Sequence, residues 1–495
     1  MYDVAIIGAG VIGSFIAREL ARYDLQIVLL EKEADVANGI TKANSAIIHS
    51  GYSVKPGTLK ARLNAVSNPM FDALCTELDV PFKRIGSLLV ALQSEDMEKL
   101  MEKYQQGIAN GVTGLQILDA EQTLVMEPNI NPAAIAALYA PTTGIVGPWE
   151  LNMALAENAV DNGVELRLNT QVQAIQKIAE GFVLSTSALD GNITAKYVFN
   201  CAGLYADEIN NMIAAPSFRI VPKRGNYFVL DKSEGEVFHH VIFMAHKKGV
   251  QSVIVTPTVH GNMLIGPTAE EVQDKSNLKT TREQLERVKK ASELTSRAIR
   301  FDKAITCFAG LRPKPEVLVR DLETGETVFS DEGQDFIISA LDDVPGFINV
   351  VGIKSPGLSS SPAIAAYAIN FLKKIIGEPV PKPGYNPCRR KAIRFSDMSD
   401  IQRVEMIQQD PSYGKIICRC EQISEAEIVD AIHRNVGAKT VDGVKKRTRS
   451  GMGRCQGGFC GPKVLEILAR ELHIDTTEVE KNQRRSYISV GKVRE

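Results

Sequence analysis

The chain has 495 residues, of which 44% are hydrophobic and 23% are charged, and its formal net charge is −2. This composition is typical of a globular protein with about two to four folding units, and the near-neutral charge gives no indication of nucleic-acid binding. No apolar run approaches the roughly 20 residues that a membrane helix needs. Because Tyr2-Asp-Val-Ala-Ile-Ile7 is already a predicted strand, we expect no cleaved signal peptide and a cytoplasmic location, where thiols stay reduced.

The N-terminal segment has the pattern of a βαβ unit. The first apolar strand is followed by Gly8-Ala-Gly10-Val-Ile-Gly13, by helical spacing of apolar residues up to Arg22, and by a second apolar strand that ends at Glu31. Glycines at these positions permit a tight turn and the close approach of a pyrophosphate to the helix N-terminus. Glu31 is placed to accept hydrogen bonds from a ribose. The pattern predicts a site for FAD or NAD, and a glycine turn without a ligand is the less favoured interpretation.

Two later segments return to the same unit. Asn200-Cys-Ala-Gly203 and Gly352-Ile-Lys-Ser-Pro-Gly357 both read as turns from a buried strand into a helix. Between them, residues 219–345 alternate strand-like runs with turns, and one charged helix is predicted at Arg282–Arg297. Turns of this kind would enclose a long cofactor that is buried in the fold.

The composition changes after residue 376. Gly377-Glu-Pro-Val-Pro-Lys-Pro-Gly384 predicts a semi-rigid linker, which we extend to residue 412. Residues 413–477 form a separate predicted module, and residues 478–495 a charged tail that we expect to pack poorly.

Two close cysteine pairs lie in this module. They are Cys418-Arg-Cys420 and Cys455-Gln-Gly-Gly-Phe-Cys460. Two short predicted helices, Ser424–His433 and Thr440–Thr448, would bring the pairs together. Structural zinc, a [2Fe–2S] cluster and separate thiols are the three interpretations, although zinc modules usually pair their cysteines as C-x2-C or wider. We expect the remaining cysteines to be ordinary thiols: Cys75, Cys201, Cys307 and Cys388.

The first three quarters of the chain resemble the D-amino-acid-oxidase-like flavoproteins, in which a discontinuous FAD domain carries an inserted substrate domain. The resemblance covers about residues 1–375 and implies FAD as the cofactor. The expected fold class is α/β: a Rossmann-like FAD-binding domain with an inserted β-rich substrate domain, plus a small α-helical [2Fe–2S] C-terminal domain. The expected segments are 1–80, 141–215 and 336–376 for the FAD domain and 81–140 and 216–335 for the substrate domain.

A loop that this family places over the flavin spans Thr41–Tyr52. Its Asn44-Ser45 and Ile48-His49-Ser-Gly51, followed by Lys55-Pro-Gly-Thr-Leu-Lys60, are similar to the L-2-hydroxyglutarate dehydrogenases. His49-Ser-Gly51 is also similar to the anaerobic glycerol-3-phosphate dehydrogenases. Oxidation of a secondary alcohol needs a base, and histidine titrates near neutral pH. His49 is therefore a candidate catalytic base or a flavin contact; other histidines that could supply the base are His239, His240, His246 and His260.

Arg312 is the predicted anchor of an anionic substrate. Phe308-Ala-Gly-Leu-Arg312-Pro resembles a segment in which the same superfamily holds a substrate anion, and a guanidinium suits a carboxylate or a phosphate. An arginine paired with a structural acid is the alternative. Lys223-Arg224 and Lys354 are further cationic candidates. The loop from Gly352 keeps a lysine but lacks the Thr-Tyr-Arg that glycerol-3-phosphate flavoenzymes usually carry, which keeps 2-hydroxy acids as alternative substrates.

The cysteine module resembles the bacterioferritin-associated-ferredoxin-like module at the C-terminus of the anaerobic glycerol-3-phosphate dehydrogenase large subunit. The shared features are the C-x-C-Glu start, the basic run Lys445–Arg449 and Gly451-Met-Gly-x-Cys455. The resemblance implies a [2Fe–2S] cluster on Cys418, Cys420, Cys455 and Cys460. The basic run would offset the charge of the cluster or form a solvated helix face.

Together these resemblances imply a FAD-dependent dehydrogenase of a small anionic secondary alcohol, glycerol 3-phosphate first. Electrons would leave through the cluster to an acceptor protein or a quinone, with peripheral membrane association through a partner. The alternatives are a dehydrogenase of L-2-hydroxyglutarate or another 2-hydroxy acid and an electron-transfer subunit without its own substrate. The implied cofactor contacts are Gly8, Gly10, Ile12, Gly13, Glu31, Lys32, Asn44, Ser45, His49, Val172, Ala202, Gly203, Gly352, Lys354, Gly357, Leu358 and Ser359.

Overall fold

The computed structural model describes residues 1–188, 191–246, 252–320, 327–331, 335–489 and 491. Val490 and residues 492–495 of the predicted tail, like the gaps within the predicted FAD and substrate domains, lie outside the described residues. In the described part of the chain, no helix combines the length and the apolar character that crossing a membrane requires.

A mixed eight-stranded sheet organises the first unit. The predicted βαβ unit is confirmed, because Tyr2–Ile7 and Ile27–Leu30 pair in parallel on either side of the helix Val11–Leu20. All strands of this sheet lie within the segments predicted for the FAD domain. We therefore keep those segment boundaries as our proposal for the domain. In spatial order the strands are Val172–Ile178, Gly181–Thr186, Asn192–Asn200, Tyr2–Ile7, Ile27–Leu30 and Glu165–Arg167, with Phe347–Val351 on Asn192–Asn200 and Ile337–Ala340 on Phe347–Val351.

Apolar side chains on both faces of this sheet are buried, which explains why its central strands read as continuous hydrophobic runs. The core on one face joins the sheet to helices that carry small and apolar residues, and the Ala206–Asn211 helix lies on the other face. The helices on the first face are Val11–Leu20, Leu59–Ser67, Phe71–Glu77, Pro148–Asp161 and Gly357–Ile376.

A ten-stranded sheet forms the second unit and confirms the β-rich prediction. Its longest strands, Phe218–Leu230 and Ala304–Arg320, form an antiparallel pair. The helices Asp96–Ala109, Ala120–Met126 and Arg282–Ser292 accompany this sheet. In spatial order the strands are Thr327–Ser330, Ala304–Arg320, Phe218–Leu230, Met263–Gly266, Ile254–Pro257, Val241–Met244, Ser87–Ala91, Ala136–Ala140 and Gln116–Asp119, with Glu270–Glu271 on Phe218–Leu230.

A small three-stranded sheet carries the predicted flavin loop. Ile47–Ile48 and Phe82–Arg84 both pair with Gly144–Val146, and the Pro148–Asp161 helix follows directly. The sheet therefore holds the flavin loop beside the start of the Pro148–Asp161 helix.

The C-terminal module contains three helices, Glu425–His433, Val441–Thr448 and Gly461–Leu472, and the short hairpin Ile416–Cys418 with Ile423–Ser424. The first two helices confirm the sequence prediction. Ser424 explains one helix start, because its hydroxyl accepts from the Glu427 backbone N–H at 3.3 Å and the Glu427 carboxylate accepts from the Ser424 backbone N–H at 2.8 Å.

The segment predicted as a linker is instead packed onto the first unit. Lys382 donates its backbone N–H to the Arg22 carbonyl at 2.8 Å, and the Arg389 guanidinium contacts the buried Glu157. The segment also contains the helix Asp400–Gln409. The proline-rich composition therefore correctly predicted an irregular backbone. It did not reveal that the polar side chains after it form fixed contacts with the first unit.

The prediction of a poorly packed tail is wrong for the described residues after 477. Val479 is fully buried in the module core, and Glu480 bridges to Tyr487. Several backbone and hydroxyl hydrogen bonds close residues 480–487 into a loop. Local hydrogen bonds therefore order this segment, although its charged composition suggested that it would be poorly packed.

Candidate functional site

A cavity of about 910 Å³ lies where the parallel strands of the first sheet end, on the side that faces the second sheet. Open α/β sheets bind ligands at the carboxyl ends of their strands. The predicted residues that line the cavity are Gly8, Gly10, Ile12, Glu31, Lys32, Asn44, Ser45, His49, Val172, Ala202, Gly203, Arg312, Gly352, Lys354, Gly357 and Leu358. Gly13 and Ser359 lie behind this wall and support it.

The glycine turn is packed as closely as a pyrophosphate cradle requires. A Cβ on Gly13 would lie 2.0 Å from the Gly8 carbonyl oxygen, so only glycine lets the helix begin this close to the turn. The Val11 backbone N–H donates to the Thr41 hydroxyl at 3.0 Å, which ties the helix N-terminus to the flavin loop. Gly10, Val11 and Ile12 at this helix N-terminus line the cavity, and a helix N-terminus suits an anionic group.

Glu31 joins the glycine turn to the loop after the second strand. Its carboxylate accepts from the backbone N–H groups of Ala9 at 2.9 Å and Glu33 at 3.0 Å, and burial raises its pKa. Each oxygen keeps a further lone pair, so the carboxylate can still accept ribose hydroxyls. Next to it, the Lys32 ammonium lies 3.5 Å from the ring centroid of Tyr205. These contacts fit the adenosine end of FAD.

The flavin loop holds its own shape. The Asn44 amide donates to the Thr41 carbonyl at 2.9 Å and accepts from the Ala46 backbone N–H at 2.8 Å. The Ser45 hydroxyl lies 3.2 Å from the Tyr227 hydroxyl, which connects the loop to the second sheet. Contacts within the protein therefore hold the flavin loop between the two sheets.

His49 is the one histidine of the described chain that lines the cavity. Its backbone N–H donates to the Ser359 hydroxyl at 2.7 Å, and its ring centroid lies 6.1 Å from that of Phe243. Burial lowers its pKa to about 4, so the imidazole is neutral at neutral pH and can accept a proton.

The four alternative histidines lie elsewhere. His240 contacts the buried Glu127 at 2.7 Å, and His260 contacts Glu150 at 2.6 Å. His239 lies beside the same Glu127, and His246 is outside the cavity wall. Their positions leave His49 as the candidate base.

Arg312 and Lys223 stand directly opposite each other on the long strand pair, and both line the cavity. A Cβ on Gly310 would lie 2.3 Å from the Ala43 carbonyl oxygen, so the strand that carries Arg312 runs against the flavin loop. Lys354 lines the cavity from the first unit. Burial lowers the pKa of Lys354; of the charges around it, Asp331 in the cavity wall raises the pKa, and the ammonium groups of Lys314 and Lys223 lower it.

None of Lys223, Arg312 and Lys354 forms an ion pair with an acidic side chain in the part of the chain that the structure describes. Like charges directly opposite on adjacent strands destabilise a sheet. The alternative that Arg312 pairs with a structural acid therefore finds no support among these residues, and an anion in the cavity would relieve the repulsion.

The four module cysteines come together as two pairs. The Cys420 and Cys455 sulfurs are 3.7 Å apart, and the thiol of Cys418 lies beside that of Cys460. Burial, opposed by a hydrogen bond with Ser450 and reinforced by the neighbouring Cys418, raises the pKa of Cys460 to about 11. Backbone N–H groups of Phe459, Gly457 and Gly458 lower the pKa of Cys455. Cys418 and Cys460 are buried, whereas Cys420 is exposed.

Among the described side chains, no three His, Cys, Asp or Glu residues are gathered around the position of one metal ion. A mononuclear zinc site needs four ligands around one ion, whereas the four cysteines of a [2Fe–2S] cluster are shared between two irons. The two-pair arrangement fits the cluster, whose chemistry when bound is one-electron transfer.

Buried ion pairs connect the module to the first unit. Arg447 forms a bidentate contact with Asp35 at 2.7 and 2.8 Å, and Lys446 lies 3.3 Å from the same carboxylate. Arg434 contacts Glu157 at 3.0 Å. The interpretation of the basic run as a solvated helix face is therefore wrong for Lys446 and Arg447, which lie between the module and the first unit.

Comparison with known proteins agrees with this division. Residues 3–370 match the family of FAD dependent oxidoreductases named DAO, and residues 416–470 match the BFD-like [2Fe-2S] binding domain. The chain therefore belongs to the DAO family of FAD-dependent oxidoreductases. Its cofactors are FAD in the large cavity and a [2Fe–2S] cluster in the C-terminal module.

Three of the similar proteins are named for glycerol 3-phosphate or for L-2-hydroxyglutarate. A glycerol 3-phosphate dehydrogenase of Caloramator mitchellensis is 53% identical over 491 residues, covering 99% of this chain and 98% of that protein. The structure of L-alpha-glycerophosphate oxidase from Mycoplasma pneumoniae with FAD bound has a TM-score of 0.71 and 31% identity, covering 78% of this chain and 98% of the oxidase. An L-2-hydroxyglutarate dehydrogenase of Escherichia coli (strain K12) is 31% identical, covering 54% of this chain and 64% of that enzyme.

Sequence reasoning missed several residues that line the cavity. Thr41 and Tyr227 lie inside segments that were singled out, but nothing in their residue types marked them. Phe243 and Gln483 come from a strand and from a tail without any motif. Their proximity to the flavin loop depends on how distant segments pack, which has no local sequence signal.

Proposed function

We propose that this protein oxidises glycerol 3-phosphate to dihydroxyacetone phosphate with FAD and passes the electrons singly through its [2Fe–2S] cluster to an acceptor protein. The observation that carries the proposal is the cross-strand pair of Lys223 and Arg312 in the wall of the cavity that His49 also lines, with Lys354 as a third cationic residue of that wall. The resemblance to a glycerol 3-phosphate dehydrogenase over nearly the full chain supports the same substrate.

The cationic corner favours a phosphate over the rival substrates. Lys223, Arg312 and Lys354 lie on the same side of the cavity, and Lys354 is close enough to Lys223 for their charges to repel. A phosphate dianion concentrates its charge at one end of a small molecule and matches such a set. The two carboxylates of L-2-hydroxyglutarate lie at opposite ends of its carbon chain, and L-lactate carries a single charge.

The alcohol must lose a proton and a hydride together. FAD, when bound, accepts the hydride from the carbinol carbon. The neutral His49 ring is placed to accept the hydroxyl proton, and Ser359 fixes its backbone. Arg312 and Lys223 would orient the phosphate so that the hydroxyl meets His49. The ketone forms as the C–H and O–H bonds break.

The surface around the cluster favours an acidic protein as the acceptor. Phe459, directly before Cys460, is 84% exposed. Arg419, Arg454 and Lys463 are exposed within a few residues of the cysteines. An exposed aromatic side chain surrounded by basic groups suits a partner that has an acidic rim. We also propose a cytoplasmic location, where thiols stay reduced.

An anaerobic substrate panel tests the proposed activity. Glycerol 3-phosphate should bleach the flavin absorbance of the purified holoprotein, whereas L-2-hydroxyglutarate, L-lactate and amino acids should not. Bleaching by L-2-hydroxyglutarate alone would transfer the function to a 2-hydroxy acid. Bleaching by none of the compounds, with FAD shown to be bound, would favour an electron-transfer subunit without its own substrate.

A further inference from the structure

The segment after the last module helix forms a closed loop rather than a loose tail. The Ser486 hydroxyl accepts from the backbone N–H groups of Asn482 and Gln483, both at 3.0 Å. The Lys481 backbone N–H donates to the Ser486 carbonyl at 2.8 Å. These bonds fix the backbone of residues 481–486, which we call the tail loop, although its side chains are largely exposed.

The tail loop is attached to the module and to the FAD domain at once. On the module side, Asp442 donates its backbone N–H to the Lys481 carbonyl at 2.8 Å. On the other side, the Asn38 amide donates to the Asn482 carbonyl at 3.3 Å, while its oxygen accepts from the Lys446 ammonium at 2.6 Å. Asn38 thus connects the loop after the second FAD-domain strand to two parts of the module.

Gln483 is the residue of the tail loop that lines the FAD cavity. The same wall contains Glu31, Asn38 and Lys42, which follow the second strand and so mark the adenosine and pyrophosphate side of the cavity. The side-chain amide of Gln483 forms no hydrogen bond within the part of the chain that the structure describes. A free primary amide has two donors for phosphate oxygens and an acceptor for ribose hydroxyls.

Charge in this part of the cavity also involves the module. Lys42 lines the wall, burial lowers its pKa, and the carboxylates of Glu33 and the module residue Asp442 raise it. The module therefore lies within electrostatic reach of the cofactor cavity on the side where the pyrophosphate is expected.

We propose that Gln483 is a FAD-binding residue and that the tail loop of the [2Fe–2S] module closes the adenosine–pyrophosphate end of the FAD site. Binding of FAD then depends on the docked module, and FAD in turn stabilises docking, because a ligand that contacts both units favours the state in which they are joined.

The solved oxidase relative has FAD bound, and 98% of its length matches 78% of this chain, which leaves almost no length for a C-terminal module. A contact from the module to FAD would therefore be an addition relative to that enzyme.

Titration of FAD into protein from which FAD, but not the cluster, has been removed tests the proposal. Gln483→Ala should weaken FAD binding about 3- to 10-fold, as expected for the loss of one neutral hydrogen bond. A chain that ends at Lys481 keeps the contacts of Glu480 and Lys481 to the module and should bind FAD at least about 10-fold more weakly. Gln409→Ala, at an exposed glutamine near the end of the Asp400–Gln409 helix, is the matched control and should bind as the wild type does.

Two further measurements separate cofactor binding from folding. Visible absorption of the cluster and circular dichroism should be unchanged in Gln483→Ala. Amide hydrogen exchange in residues 481–486 should slow when FAD is added to the wild-type apoprotein. Unchanged FAD affinity in both variants, or exchange in the tail loop that does not respond to FAD, would overturn the proposal. The substrate has no part in these measurements, so their outcome is independent of the proposed activity.

Discussion

Arg447 and Asp35 provide the sharpest test of how the cluster module is held. The two side chains are 3% and 4% exposed, and the Arg447 guanidinium also donates to the carbonyls of Val436 and Gly443. Replacing Arg447 with Met would leave the Asp35 carboxylate buried beside Lys446 and the Val36 backbone N–H, without its bidentate partner. Breaking a buried pair in this way costs about 3–5 kcal/mol. We expect the free energy that docks the module onto the first unit to become less favourable by that amount.

A double-variant comparison isolates the pair itself. Asp35→Asn combined with Arg447→Met removes both charges, so the double variant should be more stable than Arg447→Met alone, with a coupling of at least about 1 kcal/mol. Urea unfolding followed through the cluster absorbance measures both changes. Arg470→Ala, which removes an exposed guanidinium that pairs with Glu425 and Glu471 at 2.7 Å each, is the control and should cost less than about 1 kcal/mol. A loss below about 1 kcal/mol in Arg447→Met, or strictly additive effects, would refute the reasoning.

The same pair predicts a dependence on pH. Burial alone would raise the pKa of Asp35, but the charges of Arg447 and Lys446 hold it below its usual value. The folded-state pKa therefore lies below the unfolded-state value of about 3.9, so the stabilisation is complete above that value and is lost as the pH falls through the folded pKa. Acid should release the module in the wild type more steeply than in the Asp35→Asn/Arg447→Met variant, as limited proteolysis would show.

Three other predictions concern the substrate and the acceptor. His49→Asn should keep FAD but slow flavin reduction by about 10²- to 10⁴-fold. In the wild type, the apparent pKa on the acid side of the kcat/KM profile should lie below 6.5, because burial lowers the pKa of His49 to about 4; an apparent pKa near 6.5 would contradict this. Arg312→Ala should weaken substrate binding by about 2–5 kcal/mol, while Arg297→Ala, at an exposed arginine, should not; an equal effect would reject the anchor. Charge reversal by Arg419→Glu with Lys463→Glu should slow reduction of an acidic ferredoxin about tenfold at low salt and much less at high salt; the same rate at both salt concentrations would contradict the docking surface.

The parts of the fold that could be predicted have local signals. The first βαβ unit was evident because apolar periodicity, the glycines and Glu31 coincide within about 30 residues. The helices Glu425–His433 and Val441–Thr448 were evident from their residue pattern, and the structure shows that Ser424 and Thr440 cap their N-termini. The same short helices bring the two sequence pairs together, and each cysteine of one pair then faces a cysteine of the other: Cys420 faces Cys455, and Cys418 faces Cys460.

The parts that could not be predicted depend on contacts between distant segments. The basic run Lys445–Arg449 has the composition of a solvated helix face, and only the position of Asp35 on another domain buries Arg447. Residues 385–394 have the polar composition of a linker. Their fixed position depends on ion pairs with Glu157 and Asp79, which are distant in the sequence. Gln483 had no signal at all, because its proximity to the FAD cavity results from the docking of the whole module.

The central claim is that one chain takes electrons from glycerol 3-phosphate into FAD and delivers them to its own cluster. An anaerobic titration of the oxidised holoprotein with glycerol 3-phosphate, followed by flavin absorbance and by electron paramagnetic resonance, tests it most directly. The account predicts that the flavin bleaches and that the signal of the reduced [2Fe–2S] cluster grows without any added mediator. Bleached flavin beside a cluster that stays oxidised, although dithionite can reduce it, would contradict the internal transfer, and no bleaching would contradict the substrate.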